Sequence, residues 1–379
     1  MLRTDRTATV LLGILTTVLV GWTLHIGAGI LQPLVIAILL TTLLQPVVRA
    51  LARLWVPPAV TVILLASLLF FGLAQMGIVL NQRIQAFVDP LTGWAGIIDQ
   101  VKVRFDDPAN SQFDALMIYL LNAAKDVQWQ RIAGDLVGSG FDFTKGLFLV
   151  VIYMLFLFAE QAVFKRKILA IAGEHHDDAA EVLTTIGRGL QRYLGVKTVI
   201  SLMTGVLCYA VLQALEIPFA LLFGFLTFLL NYIPTFGSII AGCFPTLTAL
   251  ATGDSPAFQV TVVIATYLAV NITLGSVIEP KILGRELNLS PLIVVLSVVV
   301  WAGLWGVVGA FLAVPLTAAA QIVLASQETT RPLAVMLSSG PPREDGLLHR
   351  IGRGRRERED EAPAGEGEGA GPPRKAAGE

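Results

Sequence analysis

The chain has 379 residues, of which 55% are hydrophobic and 15% are charged, and its formal net charge is −1. A soluble domain carries roughly a quarter charged residues, so this composition excludes an ordinary soluble domain and predicts a membrane protein. It gives no support for nucleic acid as a partner. The two cysteines, Cys208 and Cys243, fall in apolar runs, which argues against a disulfide framework and against a thiolate metal site.

Apolar runs of roughly 20 residues, the length that crosses a hydrocarbon core as a helix, recur along the chain. They predict an all-α polytopic membrane protein with about eight membrane segments. In chain order we expect three transmembrane helices in residues 1–80, an extracytoplasmic amphipathic region at 81–142, a transmembrane helix and a cytoplasmic amphipathic helix at 143–197, a core with broken helices at 198–325, and a tail at 326–379. The tail is rich in Pro, Gly and charge and is expected to be disordered.

Basic residues predict the orientation, because short loops rich in Lys and Arg stay in the cytoplasm. Arg3 and Arg6, Arg49 and Arg53, and the basic run 165–167 flank alternate spans. Both termini are therefore expected on the cytoplasmic side.

Two apolar runs, 218–250 and 290–324, are too long for one span, because each would be about 50 Å long as a single helix. Each has a break near its middle, at 231–237 in the first run and at 301–306 in the second. If both runs are re-entrant hairpins, they enter from opposite sides and form an inverted repeat, whose broken helices usually line a solute site near the midplane. Two kinked spanning helices without symmetry are the alternative.

Polar, charged and helix-breaking residues occupy the first break and the segment 271–285 between the two overlong runs. Within a membrane such residues are tolerated mainly along a cavity or water-filled path. Asn231 offers an amide, Tyr232 a hydroxyl, and Pro234 frees a carbonyl that a solute or a cation could use. The candidate pathway residues are Asn231, Tyr232, Pro234, Thr235, Gly237, Asn271, Glu279, Pro280, Lys281, Gly284 and Arg285.

Glu279 is the candidate carrier of a proton or cation in this set. The alternative is an ion pair with Lys281 or Arg285 at the membrane boundary. Asn271, earlier in the same span, is expected to pair with Glu279. Residues expected to pack helices or act as hinges are Gln32, Pro33, Gln45, Pro46, Gly306, Gly309 and Pro315.

No metal site and no cofactor are predicted. The adjacent His175 and His176 would point to different faces of a helix, unlike the i, i+4 pair of a zinc helix. The sequence has no zinc-protease helix, nucleophile elbow or Gly-rich phosphate loop, which argues against an enzyme.

Four motifs, in this order, resemble the autoinducer-2 exporter family of bacterial membrane proteins: Asn-Tyr-Ile-Pro-Thr-Phe-Gly at 231–237, Glu-Pro-Lys-Ile-Leu-Gly at 279–284, Leu-Ser-Pro at 289–291, and the run at 305–316. The resemblance covers residues 10–324. One departure is Val307-Val308, where many members have Pro between the two glycines.

This resemblance implies a multi-pass transporter of the bacterial plasma (inner) membrane, assembled as a homopentamer with a substrate path in each protomer. Its partners would be membrane lipid and either a small polar solute or a monovalent cation. Export of autoinducer-2, or exchange of sodium or lithium for protons, are both activities associated with the family. A membrane scaffold without transport is a further alternative.

Overall fold

The computed structural model describes residues 6–88, 96, 99, 129–173, 176–234, 236–252, 255–283, 289–327 and 329–339. Within these ranges the chain is helical, and its β pairing is limited to an isolated bridge between Leu289 and Ser338. The helices are α1 (Arg6–Ile26), α2 (Ala28–Ala52), α3 (Pro58–Val88), α4 (Trp129–Ala172), α5 (His176–Ala214), α6 (Ala220–Leu230), α7 (Phe236–Thr252), α8 (Pro256–Val270), a π-helical segment (Asn271–Ile278), α9 (Glu279–Leu283), α10 (Pro291–Ala325) and α11 (Arg331–Leu337).

Among the described residues, six helical stretches are long and apolar enough to cross a membrane: Ala28–Ala52, Ala59–Phe87, Lys145–Ala172, Ala179–Ala214, Pro256–Leu283 and Pro291–Ala325. The predicted all-α polytopic membrane fold is thereby confirmed. Most of the predicted extracytoplasmic amphipathic region lies outside the described residues. The cytoplasmic amphipathic stretch and the span after it form one continuous helix, α5.

The start of the tail differs from its expected disorder, because α11 packs back on the end of α10. Ala334 is fully buried, and the Gln321 side chain donates to its carbonyl at 3.3 Å. The apolar Arg331–Leu337 segment can bury surface that the Pro- and Gly-rich remainder lacks, and this explains the difference.

The first overlong run is a hairpin, which we call hairpin 1, with α6 and α7 as its arms. Ala220 at its start and Ala249 near its end lie in one buried cluster. Gln259, at the start of α8, donates to the Leu215 carbonyl at the end of α5 at 3.0 Å. The chain therefore leaves hairpin 1 on the side from which it entered.

The second overlong run, within α10, also folds back, and we call it hairpin 2. Trp301 Nε1 donates to Thr317 Oγ1 at 3.1 Å across 16 positions, which a straight helix would separate by about 24 Å. The reversal occurs at Gly306, whose φ of 64° and ψ of −144° are accessible to glycine at little cost. The break expected at 301–306 lies at the end of that range.

The corner between α1 and α2 holds the turn of hairpin 2. Trp305 Nε1 donates to the Leu24 carbonyl at 2.9 Å, and Gln32 Nε2 donates to the Trp305 carbonyl at 3.3 Å. His25 Nδ1 bonds the Leu304 carbonyl at 2.9 Å. These bonds satisfy backbone groups that the reversal removes from the helix.

The two hairpins open toward opposite ends of α5. Hairpin 1 opens beside Leu215, whereas Arg192 on the same helix donates to the Ile282 carbonyl at 3.0 Å, shortly before hairpin 2 begins. The stretch of α5 between Arg192 and Leu215 is about 35 Å long, close to the thickness of a hydrocarbon core. This is the arrangement of an inverted repeat.

One proline inside a helix, Pro46, leaves a backbone carbonyl that a neighbouring side chain satisfies. Pro46 has no N–H for the Thr42 carbonyl one turn earlier, and Gln191 Nε2 of α5 donates to that carbonyl at 2.9 Å. Gln45 donates to Gln161 of α4 at 3.2 Å. Pro33 and Pro315 are both buried inside helices.

The hairpin geometry predicts a labelling pattern in a variant without the native cysteines. Cysteines placed at Glu216 and Ser255, both exposed, are expected to react with an impermeant maleimide from the same side of the membrane, because both ends of hairpin 1 lie together. A cysteine at Gln327, beyond hairpin 2, should react from the other side. Labelling of Glu216 and Ser255 positions from opposite sides would contradict the hairpin.

Candidate functional site

Polar side chains line one face of α5 where it meets the two broken segments. Tyr193, Lys197 and Ser201 follow one another at intervals of four residues, which puts them on one face of a helix. All three are buried, and Thr198 lies beside them. We call these four residues the polar face of α5.

The polar face holds Glu279 through a buried ion pair. Lys197 Nζ lies 2.8 Å from Glu279 Oε1 and 2.9 Å from Oε2. The two side chains are 6% and 15% exposed. Buried charges in a membrane span are usually paired in this way, and they frequently mark a functional site.

This pairing gives Glu279 a partner other than those expected from the sequence. Lys281, an expected partner, is exposed, and Arg285, the other, lies outside the described residues. No hydrogen bond among the described residues joins Asn271 to Glu279, because the eight helical positions between them separate the two side chains by more than two turns. Asn271 is exposed, and its Oδ1 lies over Gly275.

A π-helical segment places Glu279 against α5. The Glu279 N–H bonds the Leu274 carbonyl five residues earlier. Pro280 follows directly, and its ring offers no N–H to the Ser276 carbonyl, which favours a widened turn at this point. π-Helical turns occur frequently at functional sites. The short α9 is also anchored to α5 by the Arg192 bond to Ile282.

The turn of hairpin 1 meets the same polar face one helical turn further along. Asn231 Nδ2 donates to Ser201 Oγ at 2.9 Å, and the Tyr232 hydroxyl donates to Thr198 Oγ1 at 2.8 Å. The Tyr232 ring also packs on Phe311 of hairpin 2, with 6.1 Å between ring centroids. Both hairpins therefore contribute walls to one site.

The predicted pathway residues are only partly brought together. Asn231, Tyr232 and Glu279 meet on α5, and Pro234 is half-buried in the turn. Pro280 and Lys281 are exposed. Thr235, Gly284 and Arg285 lie outside the described residues.

Gly237 and Gly309 have corresponding packing roles in the two hairpins. A Cβ at Gly237 would collide with the Leu230 carbonyl, and a Cβ at Gly309 would collide with the Trp301 carbonyl. In each hairpin the second arm thus passes directly against the last turn of the first arm. Only glycine allows backbones to approach so closely.

Four residues of the site, Tyr193, Lys197, Thr198 and Ser201, were not among those predicted from the sequence. The available signal was the four-residue spacing of Tyr193, Lys197 and Ser201, which puts three polar groups on one helix face. Lys197 is the last residue of the predicted amphipathic stretch, whereas α5 continues unbroken into the span that follows.

The site offers neutral hydrogen-bonding groups around the Lys197–Glu279 ion pair, whose charges cancel. One ammonium and one carboxylate cancel, and hydroxyls and an amide surround them. Such a site can exchange hydrogen bonds with a small polar molecule, and its carboxylate can also bind a cation if Lys197 moves away.

Comparison of the sequence with known protein families identifies the family of this chain. The family model described as AI-2E family transporter matches residues 12–328. The chain belongs to this family. The match extends from α1 through hairpin 2, so the polar face of α5 and both broken segments are within it.

Individual relatives agree with this assignment. The AI-2 transport protein TqsA of Escherichia coli is 30% identical over 341 residues, which cover 87% of this chain and 94% of that protein. A putative transport protein of Haemophilus influenzae is 31% identical over 348 residues, covering 86% and 95%. A putative transport protein of Borreliella burgdorferi is 26% identical over 320 residues, covering 82% and 85%.

Family membership and six membrane-length helices together establish a multi-pass membrane transporter. They indicate transport rather than catalysis as its activity. The resemblance to the autoinducer-2 exporter family is confirmed.

Proposed function

We propose that this protein exports a small polar solute across a bacterial inner membrane by alternating access, with autoinducer-2 as the first candidate solute. The observation that carries the proposal is the meeting of Asn231, Tyr232 and the Lys197–Glu279 pair on one face of α5. The relative named as an AI-2 transport protein supports the choice of solute.

The hydrogen bonds of the site suggest how a solute is accepted. Tyr232 and Asn231 are bonded to hydroxyls of α5, and a solute hydroxyl can replace either bond at little net cost because donors and acceptors are exchanged one for one. Because hairpin 1 and hairpin 2 open toward opposite sides, a small displacement of either turn would open the site to one side at a time.

A second candidate function is exchange of sodium or lithium for protons. The buried carboxylate of Glu279 favours it, since an ionisable group in a membrane span is a candidate ion carrier. In this scheme a cation displaces Lys197 from the carboxylate, and a proton replaces the cation on the return step.

We further propose that both termini are cytoplasmic and that several copies form a homo-oligomer, a pentamer by family resemblance. The basic residues that flank alternate spans support the orientation. Exposed apolar side chains on α3, such as Leu68 and Phe71, are suited to lipid or to a second copy.

One experiment separates the two candidate functions. The purified protein is sealed into vesicles and assayed in parallel for autoinducer-2 movement and for sodium-dependent proton movement. We expect autoinducer-2 movement and no cation exchange. The opposite result would replace export by antiport.

Variants of the ion pair extend this test. Under the export proposal the exchanged pair, Lys197→Glu with Glu279→Lys, is expected to retain autoinducer-2 efflux within about tenfold of the parental rate, because opposite charges still face each other. Under the antiport scheme Glu279→Gln abolishes exchange, since an amide cannot titrate, and the exchanged pair does not restore it. Efflux lost in the exchanged pair, in a protein that still assembles, would contradict a purely pairing role.

A further inference from the structure

Tyr193 is the tyrosine of the polar face of α5. It lies on α5 one turn before Lys197 and is 5% exposed. Its ring belongs to an apolar cluster with Leu39 of α2 and with Trp305 and Leu312 of hairpin 2.

Two half-buried tyrosines near hairpin 1 have partners for their hydroxyls. Tyr232 donates to Thr198 at 2.8 Å, and the Tyr267 hydroxyl shares a bond of 2.8 Å with Thr227. None of the hydrogen bonds among the described residues involves the Tyr193 hydroxyl. The fully enclosed side-chain oxygens without a partner among the described residues are Thr41 Oγ1 and Gln259 Oε1, so the Tyr193 hydroxyl keeps a small accessible surface. An unpartnered hydroxyl with such access can bond a water or a ligand.

We propose that Tyr193 contacts the transported solute and helps to determine specificity. Its hydroxyl bonds an oxygen of the solute while Tyr232 or Asn231 bonds a second one. This inference rests on the proposed export function and deepens it, because it defines what the solute must carry.

The charges of the site define the class of solute. Lys197 and Glu279 already satisfy each other, so an anionic solute that took Lys197 would leave the carboxylate unpaired in a buried position. A neutral molecule that takes the Tyr193 hydroxyl disturbs neither charge. The expected ligand is therefore a small neutral solute with at least two hydroxyl or carbonyl oxygens.

The test compares Tyr193→Phe with Tyr267→Phe, which removes a hydroxyl of the same kind away from the ion pair. Efflux from sealed vesicles is measured for autoinducer-2 and for ribose as a neutral polyhydroxylated probe. Tyr193→Phe is expected to raise the KM for a transported probe roughly 3- to 10-fold, the loss of one hydrogen bond, with kcat within twofold of parental. Tyr267→Phe should leave KM unchanged.

A binding measurement keeps this inference separate from the proposed function. A ligand that binds the folded protein raises its Tm, so both probes are also tested for a Tm increase in detergent. A probe that stabilises the parental protein and the Tyr267→Phe variant, and stabilises Tyr193→Phe less, supports the contact whether or not it is transported. Equal KM values and equal Tm increases in parental and Tyr193→Phe protein would overturn it. If the parental protein moves neither probe but the Tm increases still depend on Tyr193, the export function is rejected and the contact is retained. If neither probe raises the Tm of the parental protein, the contact is overturned.

Discussion

Replacing Lys197 with methionine is expected to lower the free energy of unfolding by roughly 3 kcal/mol, because Glu279 is then buried without its partner. Methionine has nearly the length of lysine, so the packing of α5 changes little. The two oxygens of Glu279 lose contacts of 2.8 and 2.9 Å in a site where little water can replace them. The loss is measured as a decrease in Tm and in the yield of assembled protein.

The control removes both charges. In the double variant Lys197→Met with Glu279→Gln no unpaired ion remains, and most of the lost stability is expected to return. Lys281→Met serves as a second control, because Lys281 is exposed and its loss should change Tm little. Equal Tm values for Lys197→Met and Lys281→Met would show that the buried pair contributes nothing to the fold.

Substituting alanine for Gly309 or Gly237 is expected to disrupt its hairpin at a cost of about 3 kcal/mol or more. Each added Cβ would occupy the position of a backbone carbonyl, that of Trp301 or of Leu230. A carbonyl in a packed turn cannot rotate away as a side chain can, so the two arms must separate. The measurements are Tm, yield in the membrane fraction, and transport.

Gly303→Ala is the matched control in hairpin 2. Gly303 is exposed, and an added Cβ there meets nothing within 4 Å. Alanine is also the better helix former, by roughly 1 kcal/mol, so this variant should be as stable as the parental protein or more so. If Gly309→Ala behaved like Gly303→Ala, the close approach of the two arms would be wrong.

Much of the fold could be predicted from apolar run lengths and helix breakers. The runs at 218–250 and 290–324 exceed what one span needs, and Pro234 and Gly306 lie within their breaks. These features depend on local sequence alone. The structure adds which way each hairpin opens, because Gln259 bonds Leu215 and Arg192 bonds Ile282.

The site was less accessible to sequence reasoning, because its central contact joins distant positions. Glu279 stood out as a carboxylate beside an apolar span, but its partner lies 82 positions earlier. Charged neighbours in sequence were the natural candidates, yet the π-helical segment turns the carboxylate toward α5. No periodicity in residues 271–278 predicts that wider π-helical turn. Tyr193 was missed because a tyrosine on an apolar helix face is ordinarily a packing residue.

The pairing of Lys197 with Glu279 also has an electrical consequence. Carrying one elementary charge across a membrane potential of 100 mV takes about 2.3 kcal/mol. The bonded ammonium and carboxylate sum to zero, so any rearrangement that moves them together with a neutral solute does almost no electrical work. Transport of such a solute would proceed at the same rate in energised and in de-energised cells, and its direction would be set by the concentration gradient of the solute itself.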